Sequence, residues 1–313
     1  MSIREFATAL TEAVATTSRA PSTKRGRWGL SAITPASKYY WVRLLLQNLA
    51  AVASLCFLLL ILLLAVLAPT IAPFDPNFVN PADRLDPPSS KYWFGTDDLG
   101  RDVFSRVIYG ARISLLVGVT VMVGATILGS LIGLVAGYYP RLDTLFMRVM
   151  DGLEAFPSIL LALTIMATLG PATENVIVAL SVVYTPNIAR LVRGTTLMNR
   201  QQTYVESARA IGMRDFPIMR RYIFANSLSP LIVQGTFVVA FAILTEASLS
   251  FLGAGVPPKT PTWGSIVSDG QPRLQQAWWI SVFAGFFLFA TVLATNLIGD
   301  GLRDALDPRS RKR

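Results

Sequence analysis

The residues that could do chemistry are few, and they are scattered. The sequence holds no histidine and a single cysteine, Cys56. That removes the commonest general base and any thiolate metal site. No G-x-x-x-x-G-K-S/T phosphate loop is present, so the chain has no such cradle for ATP. Three acids, Asp97, Asp98 and Asp102, lie within six residues of one another. They invite a cation site, but helix capping and solvation account for them better. Glu246 stands inside an apolar run, where an ionisable side chain suggests an ion pathway. Asp151, Glu154 and Asp300 lie close to the ends of such runs, which is sparse for a proton relay. No lysine stands in any of these runs, leaving an intramembrane hydrolase without a general base.

The elements around these residues are those of a membrane protein. Hydrophobic residues make up 52% of the 313 and charged residues only 15%, against about 25% in soluble domains. The net charge of +9 would suggest nucleic acid in a soluble chain. Here the basic residues flank apolar runs and no basic stripe is interleaved with aromatics, so no nucleic-acid partner is expected. About 20 apolar residues cross a bilayer as a helix. The runs predict an all-α integral membrane fold with six spans, at 44–72, 113–139, 150–170, 175–194, 229–253 and 277–299. The fourth is interrupted by Pro186 and Asn187. Gly129, Gly133 and Gly137 in the second span form small-xxx-small pairs that let helices approach closely, and ordinary internal packing explains them best.

Lysine and arginine counts set the orientation. With the N-terminus inside, segments 1–48, 140–148, 190–228 and 303–313 carry 21 of these residues and the outside segments carry 7. Both termini are therefore expected in the cytoplasm. Residues 1–43 read as a polar tail, disordered to about Pro35, and 302–313 as a basic cytoplasmic tail.

Two connections are not generic. In the outside segment 73–111, Thr96 is a plausible N-cap for a helix from Asp97 to about Tyr109, with both aspartates in its first turn and one apolar face along the membrane surface. In the inside segment 200–226, Thr203 and Glu206 fit a capping box for a helix over about Tyr204–Ile211. Gly212 supplies a left-handed stop, and a second helix follows with Asp215 near its start and Pro217 in its first turn. The pattern suits either a surface hairpin or an element that docks into a partner.

Four stretches carry a resemblance. E-S-A-x-x-x-G, Glu206 to Gly212, resembles the EAA loop of binding-protein-dependent ABC importer permeases. FGTDDLGRDVFSRVIYGARISL, Phe94 to Leu115, looks like the signature of the dipeptide/oligopeptide/nickel branch, C-type subunit. EASLSFLGAGVPPKTPTWGSIVSDG, Glu246 to Gly270, and NLIGDGLRDALDPR, Asn296 to Arg309, match the same branch. Ser207 replaces the pattern's first alanine, and Ala225 stands where a proline is usual.

The resemblance implies a type I ABC importer permease fold with its core over about 112–301. It implies a homologous B-type permease partner, two ABC ATPase subunits that hold the ATP and magnesium, and an extracytoplasmic solute-binding protein. No cofactor, metal or catalytic residue is expected in this chain. The coupling contact to an ATPase would come from Tyr204, Glu206, Ser207, Ala208, Arg209, Gly212 and Met213. The outer signature would be Gly95, Thr96, Asp97, Gly100, Arg101, Asp102, Ser105, Arg106, Gly110 and Arg112. The expected cargo is di- or oligopeptides or related small solutes, moved across a bacterial cytoplasmic membrane. The alternative is a stand-alone secondary transporter that depends on Glu246.

Overall fold

The computed structural model describes residues 40–306, so the expectations for the N-terminal tail up to 39 and for 307–313 lie outside the described residues. Among the described residues the regular structure is helical: α1 (Tyr40–Gln47), α2 (Leu49–Val66), α3 (Val103–Tyr138), α4 (Pro140–Glu154), α5 (Ser158–Leu169), α6 (Thr173–Asn199) and α7 (Thr203–Ala210). Then follow α8 (Asp215–Phe251), α9 (Trp263–Gly270) and α10 (Trp278–Leu306). Five helices, α2, α3, α6, α8 and α10, are long and apolar enough to cross a membrane, and α4 with α5 forms a sixth, bent candidate.

The first predicted span is not one helix. Asn48 leaves the helical region (φ −84°, ψ 103°) and its side chain accepts a hydrogen bond from Ala51 N–H at 3.2 Å, capping α2. α2 is apolar on every face, but only Ala51, Ser54, Ile61 and Ala65 are buried. Leucines such as Leu59, Leu60 and Leu63 stay exposed, the surface a helix presents to lipid.

α3 and α6 pack closely along the glycines of α3. A Cβ at Gly129 would stand 2.6 Å from the Ile188 side chain, and one at Gly137 the same distance from Thr196. These positions must be small for the two backbones to meet. That packing corrects the reading of Pro186 as an interruption. Pro186 lies inside an unbroken α6 of 27 residues, which runs on to Asn199 instead of ending near 194. One missing N–H does not break a helix whose surroundings already hold it.

The third predicted span is corrected too. Pro157 is held at φ −53°, ψ 133° and caps α5, so the chain bends by 92° between α4 and α5. The residue before a proline is driven out of the helical region, which is why the break falls here. α5, with 12 residues, extends about 18 Å, short of the roughly 30 Å hydrocarbon core. α4 is held to α6 by charge: Arg193 donates to both oxygens of Asp143 (2.5 and 2.7 Å), and Arg190 pairs with Glu154 and Asp151.

The buried core has three parts. One lies among α3, α5, α6 and α8 around Val121, Leu180, Ile188 and Leu249. A second lies among α2, α3, α9 and α10 around Ile61, Val107, Trp263 and Ile280. The third, smaller, lies beneath α7: Tyr138, Val205, Ala208, Ile218 and Ile223.

Candidate functional site

The two regions that carry the signature residues sit at opposite ends of α3. At its C-terminal end, α7 and the start of α8 form an elbow. Val205 and Ala208 face the small core, while Glu206, Ser207, Arg209 and Ala210 face outward. Gly212 has φ +79°, a conformation that side chains resist. Its N–H donates to Arg209 C=O at 2.9 Å, and Met213 N–H donates to Ala208 C=O at 3.1 Å. That pair of bonds is a Schellman motif, completed by Met213 and Ala208 joining the same apolar cluster. A Cβ on Gly212 would meet nothing within 4 Å, so its dihedral angle alone demands glycine.

The predicted capping box does not form. The N-cap is Gln202, without a side-chain bond, and Glu206 is exposed in the first turn. Ser207 instead donates to Thr203 C=O at 2.8 Å. Helix α7 therefore starts at Thr203, one residue before its expected start, and ends at Ala210.

Tyrosines fasten the elbow. Tyr138 and Tyr139, at the end of α3, donate to the two oxygens of Asp215 at 2.6 and 3.2 Å. Arg209 lies over the Tyr138 ring at 5.1 Å. Tyr204 donates to Asn199 Oδ1 at 2.8 Å, accepts from Asn226 at 3.2 Å and stacks on Tyr222. The second loop helix is not separate from the fifth span. It runs from Asp215 through a π-helical turn at Met219–Phe224 into one helix ending at Phe251. Ala225, where a proline is usual, lies just past that turn, inside α8. The elbow leaves Ile211 79% and Phe216 71% exposed, large apolar side chains standing on a polar surface.

At the N-terminal end of α3 the expectation of a surface helix from Asp97 is wrong. Gly95 and Gly100 have φ +72° and +73°, which no helix accommodates. The helix begins at Val103, capped by Asp102, whose Oδ2 accepts from Ser105 N–H (2.8 Å) and from the Ser105 hydroxyl (2.6 Å). It then continues straight into the second span. Asp97 and Asp98 precede it in a tight loop.

That loop is a buried knot. Asp97 accepts from Leu99 N–H and Arg101 N–H, both at 2.9 Å, and from Arg101 Nε at 2.6 Å. Arg106, 1% exposed, stands with Nη1 3.5 Å from Asp97 and Nη2 2.9 Å from Asp269. Arg101 Nη2 also reaches Asp269, at 3.2 Å. Two cations and two anions thus balance across α9, the start of α3 and the loop before it. Burial pushes the Asp269 carboxyl up from its ordinary value, and Arg106 and Arg101 pull it back. Burial likewise pushes Asp102 up despite its bonds to Ser105.

Tryptophans close the knot. Trp279 Nε1 donates to Thr96 C=O and Trp263 Nε1 to Val107 C=O, both at 3.1 Å. A Cβ on Gly95 would stand 2.6 Å from Trp279 Nε1, and one on Gly110 would stand 3.3 Å from Thr262. Gly100 is pressed against the backbone of Asn80. Arg112 is exposed beside Tyr109 and belongs to no part of the knot.

The remaining candidates are internal fastenings. Glu246 is fully buried and accepts from Ser250 (2.8 Å) and Ser114 (3.3 Å), which links α8 to α3. Cys56 is exposed on α2. No group of three or more His, Cys, Asp or Glu suited to a metal occurs among the described residues. Asp269, Tyr138 and Asp215 were not singled out as site residues from sequence. Asp269 lies in the Glu246–Gly270 stretch, but nothing in that stretch pairs it with Arg106, 163 residues away.

Comparisons with known proteins place the chain in a family. Residues 125–312 match the family described as binding-protein-dependent transport system inner membrane component, and residues 39–88 match the N-terminal TM domain of oligopeptide transport permease C. The chain is 50% identical to a protein of Brucella abortus biovar 1 (strain 9-941) over 85% of this chain and 90% of that one. It is 47% identical to the glutathione transport system permease protein GsiD of Escherichia coli O6:K15:H31 (86% and 89% covered). It is 44% identical to the dipeptide transport system permease protein DppC of Alkalihalophilus pseudofirmus (85% and 88%). A chain of the MetNI methionine ABC transporter, in inward-facing conformations, shares the fold with TM-score 0.55 at 18% identity, covering 64% of this chain and 97% of that one. The chain therefore belongs to the binding-protein-dependent inner membrane permeases, in their dipeptide/oligopeptide branch, and is a multi-pass permease subunit of an ABC importer.

Proposed function

We propose that this chain is the C-type half of an importer for dipeptides, oligopeptides or related small solutes such as glutathione, and that residues 203–213 are the lever through which a partner ATPase drives it. A homologous B-type permease supplies the other half of the pathway. Two ABC ATPases bind ATP and magnesium, and an extracytoplasmic binding protein delivers the cargo. The chain itself is not an enzyme. The bias of lysine and arginine toward the elbow side supports placing the elbow and both termini in the cytoplasm.

The observation that carries the reading is the elbow's construction. Its inner face is packed and its corner is set by Gly212, while its outer face offers Tyr204, Glu206, Ile211 and Phe216 to a partner. A force on α7 passes through the Gly212 corner into α8, a 37-residue helix about 55 Å long. It also passes through Asp215 to the end of α3. A rigid lever on two spanning helices can switch a pathway between two accesses when ATPase closure favours one of them.

Affinity purification of the chain in mild detergent tests this. Recovery of a second permease with two ATPases is expected. A lone chain that moves solute into vesicles without ATP would overturn it.

A further inference from the structure

We propose that the groove between the cytoplasmic half of α3 and the π-helical turn of α8 is a binding site for one anionic phospholipid, with its phosphate on Arg220 and an acyl chain along α3. The groove measures about 430 Å³ and is walled by Thr126, Ser130 and Leu134 on α3 and by Met219, Arg220 and Phe224 on α8. That volume falls among ligand pockets, which run from about 300 to 1,000 Å³.

Three features point to a lipid. The first is polarity. Ser130 is 6% exposed, yet its hydroxyl and that of Thr126 have no hydrogen-bond partner among the described residues. An unpaired buried hydroxyl is costly, and water is scarce at this depth. The second is charge. Arg220 sits on the groove wall and makes no ion pair among the described residues, and Arg214 and Arg221 are exposed nearby. Asp215, the adjacent acid, is already taken by Tyr138 and Tyr139.

The third is order along the membrane normal. The Tyr138–Asp215 bond pins the end of α3 to the start of α8, and Gly118 opposite Ile243 fixes the two helices as antiparallel. At 1.5 Å per residue, Arg220 lies about 7 Å and Ser130 about 12 Å from that pin toward the bilayer centre. The cation therefore stands about one helical turn nearer the surface than the hydroxyl. Below them the wall is apolar, with Ile127 and Leu131 exposed. A phospholipid presents the same sequence of groups: phosphate, ester carbonyl, hydrocarbon. α3 carries no charge from Ile113 to its end at Tyr138, about 39 Å, close to the thickness of a bilayer with its headgroups. The groove thus lies in one leaflet. Its wall is a π-helical turn, a rare geometry that occurs frequently at functional sites. A partner's apolar helix would fill the space but would bury Arg220 without an anion.

The test uses the assembled transporter in nanodiscs that contain phosphatidylglycerol with a photoactivatable group in its acyl chain. Labelling is read at residues 126–131 and referred to labelling near Phe286 and Phe289, exposed apolar positions on α10. Loss of one basic contact to an anionic lipid, about 1 kcal/mol, lowers occupancy about fivefold. Arg220→Gln should cut relative labelling by about that factor, Arg220→Lys should keep most of it, and a phosphatidylcholine probe should label correspondingly less. The constant reference at α10 reports that each variant remains folded and embedded. Equal labelling by both lipids, unchanged in Arg220→Gln, would overturn the proposal by showing an undifferentiated lipid-facing surface. So would a photo-crosslinker at Leu131 that captures the partner permease instead of lipid. Neither outcome depends on whether the elbow couples ATP hydrolysis.

Discussion

The knot and the elbow, at opposite ends of α3, use signature residues in opposite ways. In the knot, Thr96, Asp97, Asp102, Ser105 and Arg106 are all buried, and they are joined to one another or to elements far along the chain. In the elbow, only Val205 and Ala208 of α7 are buried, and most of the polar signature faces out. A buried, charge-balanced cluster specifies how one chain fits itself. An exposed face on a rigid, pinned corner has its capacity left over for another chain. The difference predicts that knot substitutions damage the fold, whereas elbow substitutions spare the fold and damage the assembly.

The largest effect should come from Arg106→Met. It leaves Asp97 and Asp269 short of a cation, and breaking a buried pair costs about 3–5 kcal/mol. The expected result is a sharp loss of monodisperse protein and a lower Tm in detergent. Next, Gly95→Ala places a methyl group against Trp279 at a backbone angle that disfavours it, and overpacking of this kind costs about 1–3 kcal/mol. Thermal unfolding should move in the same direction by less. In the elbow, Gly212→Leu costs about 1–2 kcal/mol for its left-handed angle and meets no steric obstacle. Insertion and yield should stay close to normal. Ile211→Ser should leave stability within about 0.5 kcal/mol, as surface changes do, yet reduce ATPase retention on co-purification.

The smallest effect tests the rim of the knot. Lys91 and Tyr92 bond the Asp83 carboxylate and hold it below the ordinary aspartate value of 3.8. A depressed carboxylate contributes stability above its unfolded value and loses it as pH falls through the folded one. Protection of the amides of residues 83–92, with the intrinsic pH dependence of exchange divided out, should therefore fall only in strong acid. A fall in that protection between pH 6 and 8 would contradict the assignment.

Much of this contrast was legible in the sequence, and the failures have physical causes. Uncharged runs revealed α3, α6, α8 and α10 because a span must exclude charge. They could not reveal that α6 and α8 continue past the apolar runs, since amphipathic extensions do not look like spans. Pro157 and Pro186 both stand inside predicted spans, and only Pro186 reads as an interruption, yet Pro157 ends a helix and Pro186 is carried through by packing on α3. Gly212 was legible because a left-handed stop follows from local sequence. Gly95 and Gly100 carry the same chemistry, but the aspartates beside them fit a helix start, and only long-range contacts overrule it. The pairing roles of Asp269 and Asp215 could not be found because their partners lie 163 and 77 residues away.

The central claim is that the elbow is the lever between ATP hydrolysis and the spanning helices. Its most direct test is substrate-stimulated ATP hydrolysis by the reconstituted complex carrying Gly212→Leu. The account predicts a complex that assembles in the membrane but whose hydrolysis no longer rises when loaded binding protein is added. Full stimulation in that variant would contradict it.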